Sequence, residues 1–186
     1  MRARGPGSAP NLRALARPPV SSIELIVPKR IAERLEEEAR KAGLSAEELA
    51  TVILAERLGV GLDPAEAAEV YAGLAERYMR EAERLLAAGD FAQASEKLWG
   101  AAALTVKAVA AARGLLLRSH GELFKFVRDL SCETGDPELR RLFSAAGVLH
   151  QNFYENWLHP DVVRDYAEDV RQLVQRLAAL LERRGS

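Results

Sequence analysis

Two stretches of the sequence concentrate side chains that can do chemistry. Residues 94–99 contain a serine, a glutamate, a lysine and a tryptophan, and residues 149–158 contain a histidine, two asparagines and three aromatic residues. A histidine beside a carboxylate can accept and return a proton, and aromatic rings can stack on a nucleobase. These side chains therefore indicate either acid–base chemistry or nucleobase binding.

Helical spacing would bring the two stretches together. Four residues of the second stretch have the i, i+3, i+4, i+7 spacing of one helix face, namely His150, Phe153, Tyr154 and Trp157. Ser95 and Trp99 share a face of another helix, and if the two helices are neighbours, His150 meets Glu96 or Ser95 in a cleft. The candidate cleft residues are Ser95, Glu96, Lys97, Trp99, His150, Asn152 and Tyr154. The alternative is a buried polar network that sets the helix register, with the aromatic rings filling the core.

A second candidate site lies at a predicted helix start. Arg118 and His120 flank Ser119, which can cap the helix, so the backbone amides and both side chains could bind an anion. The alternative is a plain helix cap with a histidine on the surface. His159 follows Glu155 by one turn, but two ligands without a third do not make a metal site, and we expect neither a metal nor a cofactor.

The elements that must position these residues are helical. Of 186 residues, 48% are hydrophobic and 28% are charged, which is typical of a globular protein. Caps and apolar periodicity predict helices over 63–88, 91–113, 137–158 and from 161 onward, with a shorter one after Ser119. Short loops favour antiparallel neighbours. The predicted fold is all-α, an up-and-down four-helix bundle with a short extra helix.

The N-terminal part of the chain has a different sequence pattern, which predicts a strand. Ser22–Val27 alternates apolar and polar residues as a strand does, and helices are predicted over 28–42 and from Ser45 to 58. An unpaired strand is unstable, and no second strand is apparent, so we expect a homodimer in which two copies pair through this segment. The alternative is an intramolecular helical hairpin with a disordered lead-in.

This strand–helix–helix segment resembles the ribbon-helix-helix module, whose outward ribbon residues read DNA. Here the outward residues would be Ser22, Glu24 and Ile26, and Glu24 would face the phosphates twice. Lys29 and Arg30 are the nearby bases, so the electrostatic attraction that DNA binding needs is weak. We therefore expect dimerisation without DNA binding.

These patterns divide the chain into three segments. Residues 1–20 hold four arginines, four prolines and no acid, which predicts a disordered basic tail; 21–62 form the dimerisation module and 63–186 the bundle. The formal net charge is −1, and one cysteine, Cys132, excludes a disulfide framework. No stretch approaches about 18 uninterrupted apolar residues, so we expect no membrane span and a cytoplasmic protein.

The motifs at 94–99, 119–123 and 149–158, with the helix before them, resemble the archaeal PaREP1 family over roughly Ile23 to Leu181. The resemblance implies a HEPN-like bundle, a fold that also occurs in partners of nucleotidyltransferases and in toxin ribonucleases. Those ribonucleases use an Arg and a His near the end of a late helix. Gln151 and Asn156 stand at the matching positions here, and neither can carry the charge or the proton. Arg113 and His120 match that spacing only at the wrong helix junction.

The sequence thus predicts a non-catalytic, homodimeric binding or assembly module of the toxin–antitoxin or nucleotidyltransferase-partner type. Its ligand would be a nucleotide, RNA or a protein partner. One alternative is a divergent, metal-independent endoribonuclease that uses His150 with Lys97, Glu96 or Tyr154. Another is a ribbon-helix-helix transcription regulator with the bundle as its sensor.

Overall fold

The computed structural model describes residues 21 and 23–182, which form seven α-helices connected by short loops. The helices are α1 Lys29–Ala42, α2 Ala46–Leu58, α3 Pro64–Ala88, α4 Phe91–Ala111, α5 His120–Thr134, α6 Glu138–Glu155 and α7 Pro160–Glu182. The prediction of an all-α helical bundle is confirmed. The predicted tail, residues 1–20, lies outside the described residues.

Local chemistry starts and stops helix α3 where the sequence predicts. The Asp63 carboxylate accepts hydrogen bonds from the backbone amides of Ala65 and Glu66, and the Glu66 carboxylate accepts one from the Asp63 backbone amide, so α3 begins with a capping box. Gly89 ends α3 in the left-handed conformation. Only two residues separate α3 from α4, and the two helices pack against each other, as a short connection favours.

The core is centred on α4, which contacts α3, α5, α6 and α7. Its small residues let neighbours approach closely; a Cβ on Gly100 would overlap the ring of Tyr78 on α3. The largest fully buried side chains come from α4, α5, α6 and α7, and include Phe143, Leu98, Leu104, Leu130, Leu139, Leu142, Leu149, Leu173 and Leu177. The arrangement brings the 94–99 and 149–158 stretches together because α4 and α6 are direct neighbours.

Helix α6 ends earlier than the sequence predicts. It stops at Glu155, not at 158, because Asn156 takes a left-handed conformation with φ 48°. The Asn152 side-chain oxygen accepts hydrogen bonds from the backbone of Trp157 (3.0 Å) and Leu158 (2.8 Å), which turns the chain away from the helix axis. Trp157 therefore does not continue the helix face of His150.

The predicted strand is not present in the single chain. Ile23–Val27 has no strand assignment, and Ser22 lies outside the described residues. The physical reason is that a strand needs a partner backbone, and the described part of this chain offers none. Helices α1 and α2 instead form a hairpin around Gly43. No helix in the described residues is long and apolar enough to cross a membrane.

Candidate functional site

Aromatic and imidazole rings of α4, α5 and α6 form a continuous stack at one side of the bundle. Trp99 of α4 lies at its centre, with ring centroids 5.2 Å from His120 and 4.9 Å from His150. The two imidazoles are themselves stacked at 5.0 Å. We call this group the ring cluster, and its members are Trp99, His120, Phe124, Phe143, His150 and Tyr154.

The ring cluster is buried at its base and open at its rim. Trp99 and Phe143 are buried, whereas His120, Phe124 and Tyr154 are exposed. Tyr154 meets His150 edge to face at 5.3 Å and leaves 65% of its own surface in solvent. An exposed rim of rings over a packed base is the arrangement that offers a flat stacking surface to a ligand.

His150 is oriented by a carboxylate. Its Nδ1 lies 3.1 Å from Oε2 of Glu96, and both side chains are partly exposed. Since a carboxylate can only accept, the imidazole donates from Nδ1. The Nε2 atom of a neutral His150 is then left as a hydrogen-bond or proton acceptor. Of the two contacts that the sequence allowed for His150, the structure forms the one to Glu96.

Ser95 and Asn152 have a different position from the ring cluster. Both are fully buried, and Nδ2 of Asn152 donates to Oγ of Ser95 at 2.9 Å. The Ser95 hydroxyl in turn donates to the Phe91 carbonyl one turn earlier. The asparagine also closes the end of α6, so these two residues form the structural network that the sequence analysis held as an alternative.

Lys97 is turned away from the ring cluster. Its ammonium lies 2.7 Å from Oε2 of Glu81 and 4.2 Å from the centroid of the Tyr78 ring on α3. Burial raises the pKa of Glu81, but hydrogen bonds from Lys97 and Arg77 outweigh it and bring the pKa below its usual value. Lys97 thus links α4 to α3, and the structure does not bring it to His150.

Arg118 and His120 flank Ser119 at the start of α5. Ser119 caps α5 by accepting from the backbone of Glu122, and the Glu122 carboxylate accepts from the backbone of Arg118. The side chain of His120 joins the ring cluster, which the sequence analysis did not foresee. The predicted pairing of both side chains on one anion remains a prediction.

His120 is biased towards its neutral form. Burial lowers the pKa of its imidazole, and the charges of His150 and Lys107 lower it further, while Glu96 acts in the opposite direction. A neutral imidazole can donate from one nitrogen and accept at the other. His120 can therefore offer a ligand both hydrogen-bonding functions near neutral pH.

Phe124 and Phe143 are members of the ring cluster that the sequence analysis missed. Phe124 follows His120 by four residues on α5, and Phe143, Gly147 and His150 share a stripe of α6. A Cβ on Gly147 would lie 3.0 Å from the Phe124 ring, so the glycine lets that ring lie against α6. The helical spacing of the aromatic and glycine residues was the available signal.

Other features lie apart from the ring cluster. A cavity of about 340 Å³ between α3 and α7 is lined by Leu86, Ala87, Arg164, Ala167 and Arg171. Among the described residues, no three His, Cys, Asp or Glu side chains gather in a way that could hold a metal ion. Cys132 is an exposed free thiol.

Comparisons with known proteins agree with the helical fold. A crystal structure of a protein from Sulfolobus solfataricus is 30% identical, with a TM-score of 0.52, and the match covers 58% of this chain and 95% of that one. No curated protein matches the sequence. The model of the archaeal PaREP1/PaREP8 family matches residues 70–174, which is more than half of the chain and includes all three helices of the ring cluster. The chain therefore belongs to the archaeal PaREP1/PaREP8 family.

Proposed function

We propose that this protein is a non-catalytic, homodimeric binding module that holds the nucleobase of a nucleotide or of single-stranded RNA on its ring cluster. The observation that carries the proposal is the stack of Trp99 with His120 and His150, open to solvent at its rim. Stacking of a base on an aromatic side chain contributes about 1–3 kcal/mol. Exposed rings on a rigid base therefore suit a planar ligand.

Polar groups around the rings add directional contacts. Glu96 engages Nδ1 of His150, so the Nε2 side is available to the edge of a base or to a hydroxyl. His120 is exposed and biased towards the neutral form that both donates and accepts. These contacts recognise a heteroaromatic base better than a plain hydrocarbon surface would.

Charge has a smaller part in this recognition. The formal net charge of the chain is −1, and exposed Lys125, which follows Phe124 in the sequence, pairs with Asp129. Few phosphate contacts mean few released counterions, so binding should depend only weakly on salt. Base stacking, and not backbone attraction, is then the main source of affinity.

The test measures binding of a short fluorescein-labelled oligoadenylate by anisotropy. We expect His120→Ala and Tyr154→Ala each to weaken binding by roughly five- to a hundredfold, the range that corresponds to the loss of one stacked ring. The matched control is His159→Ala, because His159 is an exposed histidine that contacts Asp161 and not the ring cluster. This control should bind like the parent protein.

Competition experiments show whether the bound base belongs to a nucleotide or to single-stranded RNA. Adenosine monophosphate that displaces the oligoadenylate at similar concentration indicates a nucleotide site, whereas displacement only by longer oligomers indicates single-stranded RNA. Equal affinities for the parent, His120→Ala and Tyr154→Ala proteins would contradict a ligand site on these rings.

The dimeric part of the proposal rests on the N-terminal apolar surface. Residues 23–27, the α1–α2 hairpin and the loop after it leave many large apolar side chains in solvent, namely Ile23, Leu25, Ile26, Val27, Ile31, Ile53, Leu54, Leu58, Val60 and Leu62. A surface of this kind normally marks an interaction site. A second copy offers the same alternating segment, so two copies can pair their backbones around a two-fold axis and bury the inward-facing Ile23, Leu25 and Val27 together.

A second candidate function is a divergent, metal-independent endoribonuclease. The contact between Glu96 and His150 favours it, because the carboxylate orients His150 beside a second imidazole, His120. In such a reaction the neutral His120 would take the proton of the ribose 2′-hydroxyl, and the oxygen would attack phosphorus. A protonated His150, paired with Glu96, would give its proton to the leaving 5′-oxygen. A cyclic phosphate and a free 5′-hydroxyl would result.

The ribonuclease reading has its own test. Gln151 bonds Glu155, and Asn156 ends α6, so neither supplies the Arg or His of the ribonuclease motif. If labelled RNA is cleaved by the parent protein and not by His150→Gln, with Glu96→Gln reducing the rate, the protein is an enzyme. Intact RNA with all three proteins supports the binding module.

A further inference from the structure

The α1–α2 turn is joined to the bundle by a buried ion pair. Lys107 of α4 and Glu48 of α2 are both almost fully buried, and their Nζ and Oε1 atoms are 2.6 Å apart. The same ammonium lies 3.4 Å from the carbonyl of Gly43. Oε2 of Glu48 meanwhile accepts from the backbone of Ser45. One lysine of the core thus reaches two points of the turn.

A second attachment comes from α3. The Glu47 carboxylate accepts from the Tyr78 hydroxyl at 2.8 Å and from Arg77 at 2.7 Å. Burial and the charge of Glu47 raise the pKa of the Tyr78 phenol, so it stays a hydrogen-bond donor. Adjacent carboxylates at the start of α2 therefore bind two different bundle helices, which fixes the turn in position.

The fixed turn lies directly against the loop before the ring cluster. Gly43 has φ +68°, and a Cβ built on it would lie 2.5 Å from the carbonyl oxygen of Arg118. Arg118 precedes the Ser119 cap, and the next residue is His120 of the ring cluster. His120 is only two positions after Arg118, the residue that Gly43 contacts. A displacement of the turn would therefore move the start of α5.

We propose that the segment from Gly43 to Glu48 is a positioning element for the ring cluster. It holds the α4–α5 loop, and through that loop it sets where His120 lies against Trp99. The ligand readout of this inference rests on the proposed function. If the N-terminal segments assemble as proposed, assembly and ligand binding are coupled through this contact, and each changes the equilibrium of the other by the same factor.

A pair of glycine substitutions tests the contact. Gly43 and Gly59 each end a helix of the hairpin, with φ of +68° and +69°, but a Cβ on Gly59 would meet nothing within 4 Å. Gly43→Ala and Gly59→Ala thus introduce the same backbone strain, and only the first pushes on Arg118. The comparison separates the contact from the general cost of a left-handed alanine.

The primary readout needs no ligand. The side-chain NMR signals of His120 and of the Trp99 indole are measured in a Trp157→Phe background, which leaves Trp99 as the single tryptophan. We expect Gly43→Ala to shift both signals and Gly59→Ala to leave both in place. The second readout is the affinity for labelled oligoadenylate, which Gly43→Ala should lower by about fivefold or more.

The outcomes of the two readouts are distinct. If the parent protein does not bind oligoadenylate, the proposed function fails, and the NMR signals still decide the positioning role. If Gly43→Ala does not fold, the double variant Glu48→Gln with Lys107→Met removes the anchor without leaving one buried charge alone, and it should shift the same two signals. Unchanged His120 and Trp99 signals in whichever of these variants folds would overturn the proposal.

Discussion

Lys107 and Glu48 show how a single pair of residues can hold two parts of the molecule together. Both charges are withdrawn from water, and each is compensated only by the other and by the backbone of the turn. Removing one partner from such a pair costs about 3–5 kcal/mol, because it leaves an uncompensated buried charge. Removing both at once, with groups of similar shape, is often close to neutral.

This asymmetry gives a prediction for the free energy of unfolding. We expect Lys107→Met and Glu48→Gln each to lower it by about 3–5 kcal/mol and the double variant to recover much of that loss. Urea denaturation of the four proteins measures the coupling. The control is the exposed pair of Lys29 and Glu33, whose removal should change stability by at most about 1 kcal/mol. Additive losses from Lys107→Met and Glu48→Gln would show that the two side chains are not paired.

His120 gives a prediction at the same scale for the dependence on pH. Its folded-state pKa is lowered by burial, then by His150 and Lys107, so the unfolded chain binds its proton more readily. Stability from this residue is therefore complete above the unfolded pKa of about 6.5 and is lost as the pH falls towards the folded pKa.

The variant His120→Gln has no imidazole at this position, so it should not show the loss of stability that His120 causes at low pH. We expect its free energy of unfolding to fall less than that of the parent protein when the pH drops below about 6.5. NMR titration of the imidazole gives the folded pKa directly. A folded pKa at or above the ordinary value would contradict the partial burial of His120 beside Trp99 and His150.

At the scale of elements, Asn152 connects two helices and ends one of them. Its amide nitrogen donates to Ser95 of α4, and its oxygen accepts from the backbone of Trp157 and Leu158. Asn152→Ala would leave the backbone amides of Trp157 and Leu158 without their acceptor and would remove the hydrogen bond that Ser95 accepts. Buried unsatisfied groups cost about 1–3 kcal/mol each, so we expect a loss of at least about 2 kcal/mol.

The neighbouring residue is a matched control for this prediction. Gln151 carries the same amide group on the same helix but is exposed and bonds only Glu155. Gln151→Ala should change stability by no more than about 0.5 kcal/mol. Thermal unfolding of both variants makes the comparison, and equal effects would mean that Asn152 is not a structural link.

The helices themselves were largely predictable because their ends depend on local chemistry. The Asp63 and Ser45 capping boxes and the glycine stops are sequence patterns with a direct backbone cause. The end of α6 was not predictable in this way, because it depends on a buried Asn152 side chain that meets the backbone of Trp157. The Ser22–Val27 strand failed for a related reason, since a strand is defined by a partner that the single chain does not supply.

The candidate site was predictable only in part. Helical spacing indicated that His150 and Glu96 could meet, because both lie on faces of long helices. It did not place His120 or Phe124 beside them, since that requires the path of the α4–α5 loop. Glu48 was visible as a capping residue, and its pairing with Lys107, 59 residues away, is a tertiary contact that no local pattern contains.

At the scale of the whole molecule, the proposed dimer predicts opposite effects of two neighbouring residues. In a paired ribbon Leu25 faces inward and Ile26 outward, because side chains alternate along a strand. We expect Leu25→Glu to shift the sedimentation coefficient to that of a single chain and Ile26→Glu to leave the dimer intact. Sedimentation velocity of the two variants tests this, and a parent protein that sediments as a monomer would contradict the dimer altogether.

Binding of a base to the ring cluster can be observed on the rings themselves. Oligoadenylate is titrated into the parent protein, and the NMR signals of the Trp99 indole and of the His120 and His150 rings are recorded. We expect saturable shifts of these three residues and none at the cavity lined by Arg164 and Arg171. Ring signals that stay unchanged throughout the titration, or shifts confined to that cavity, would contradict a base-binding site on these rings.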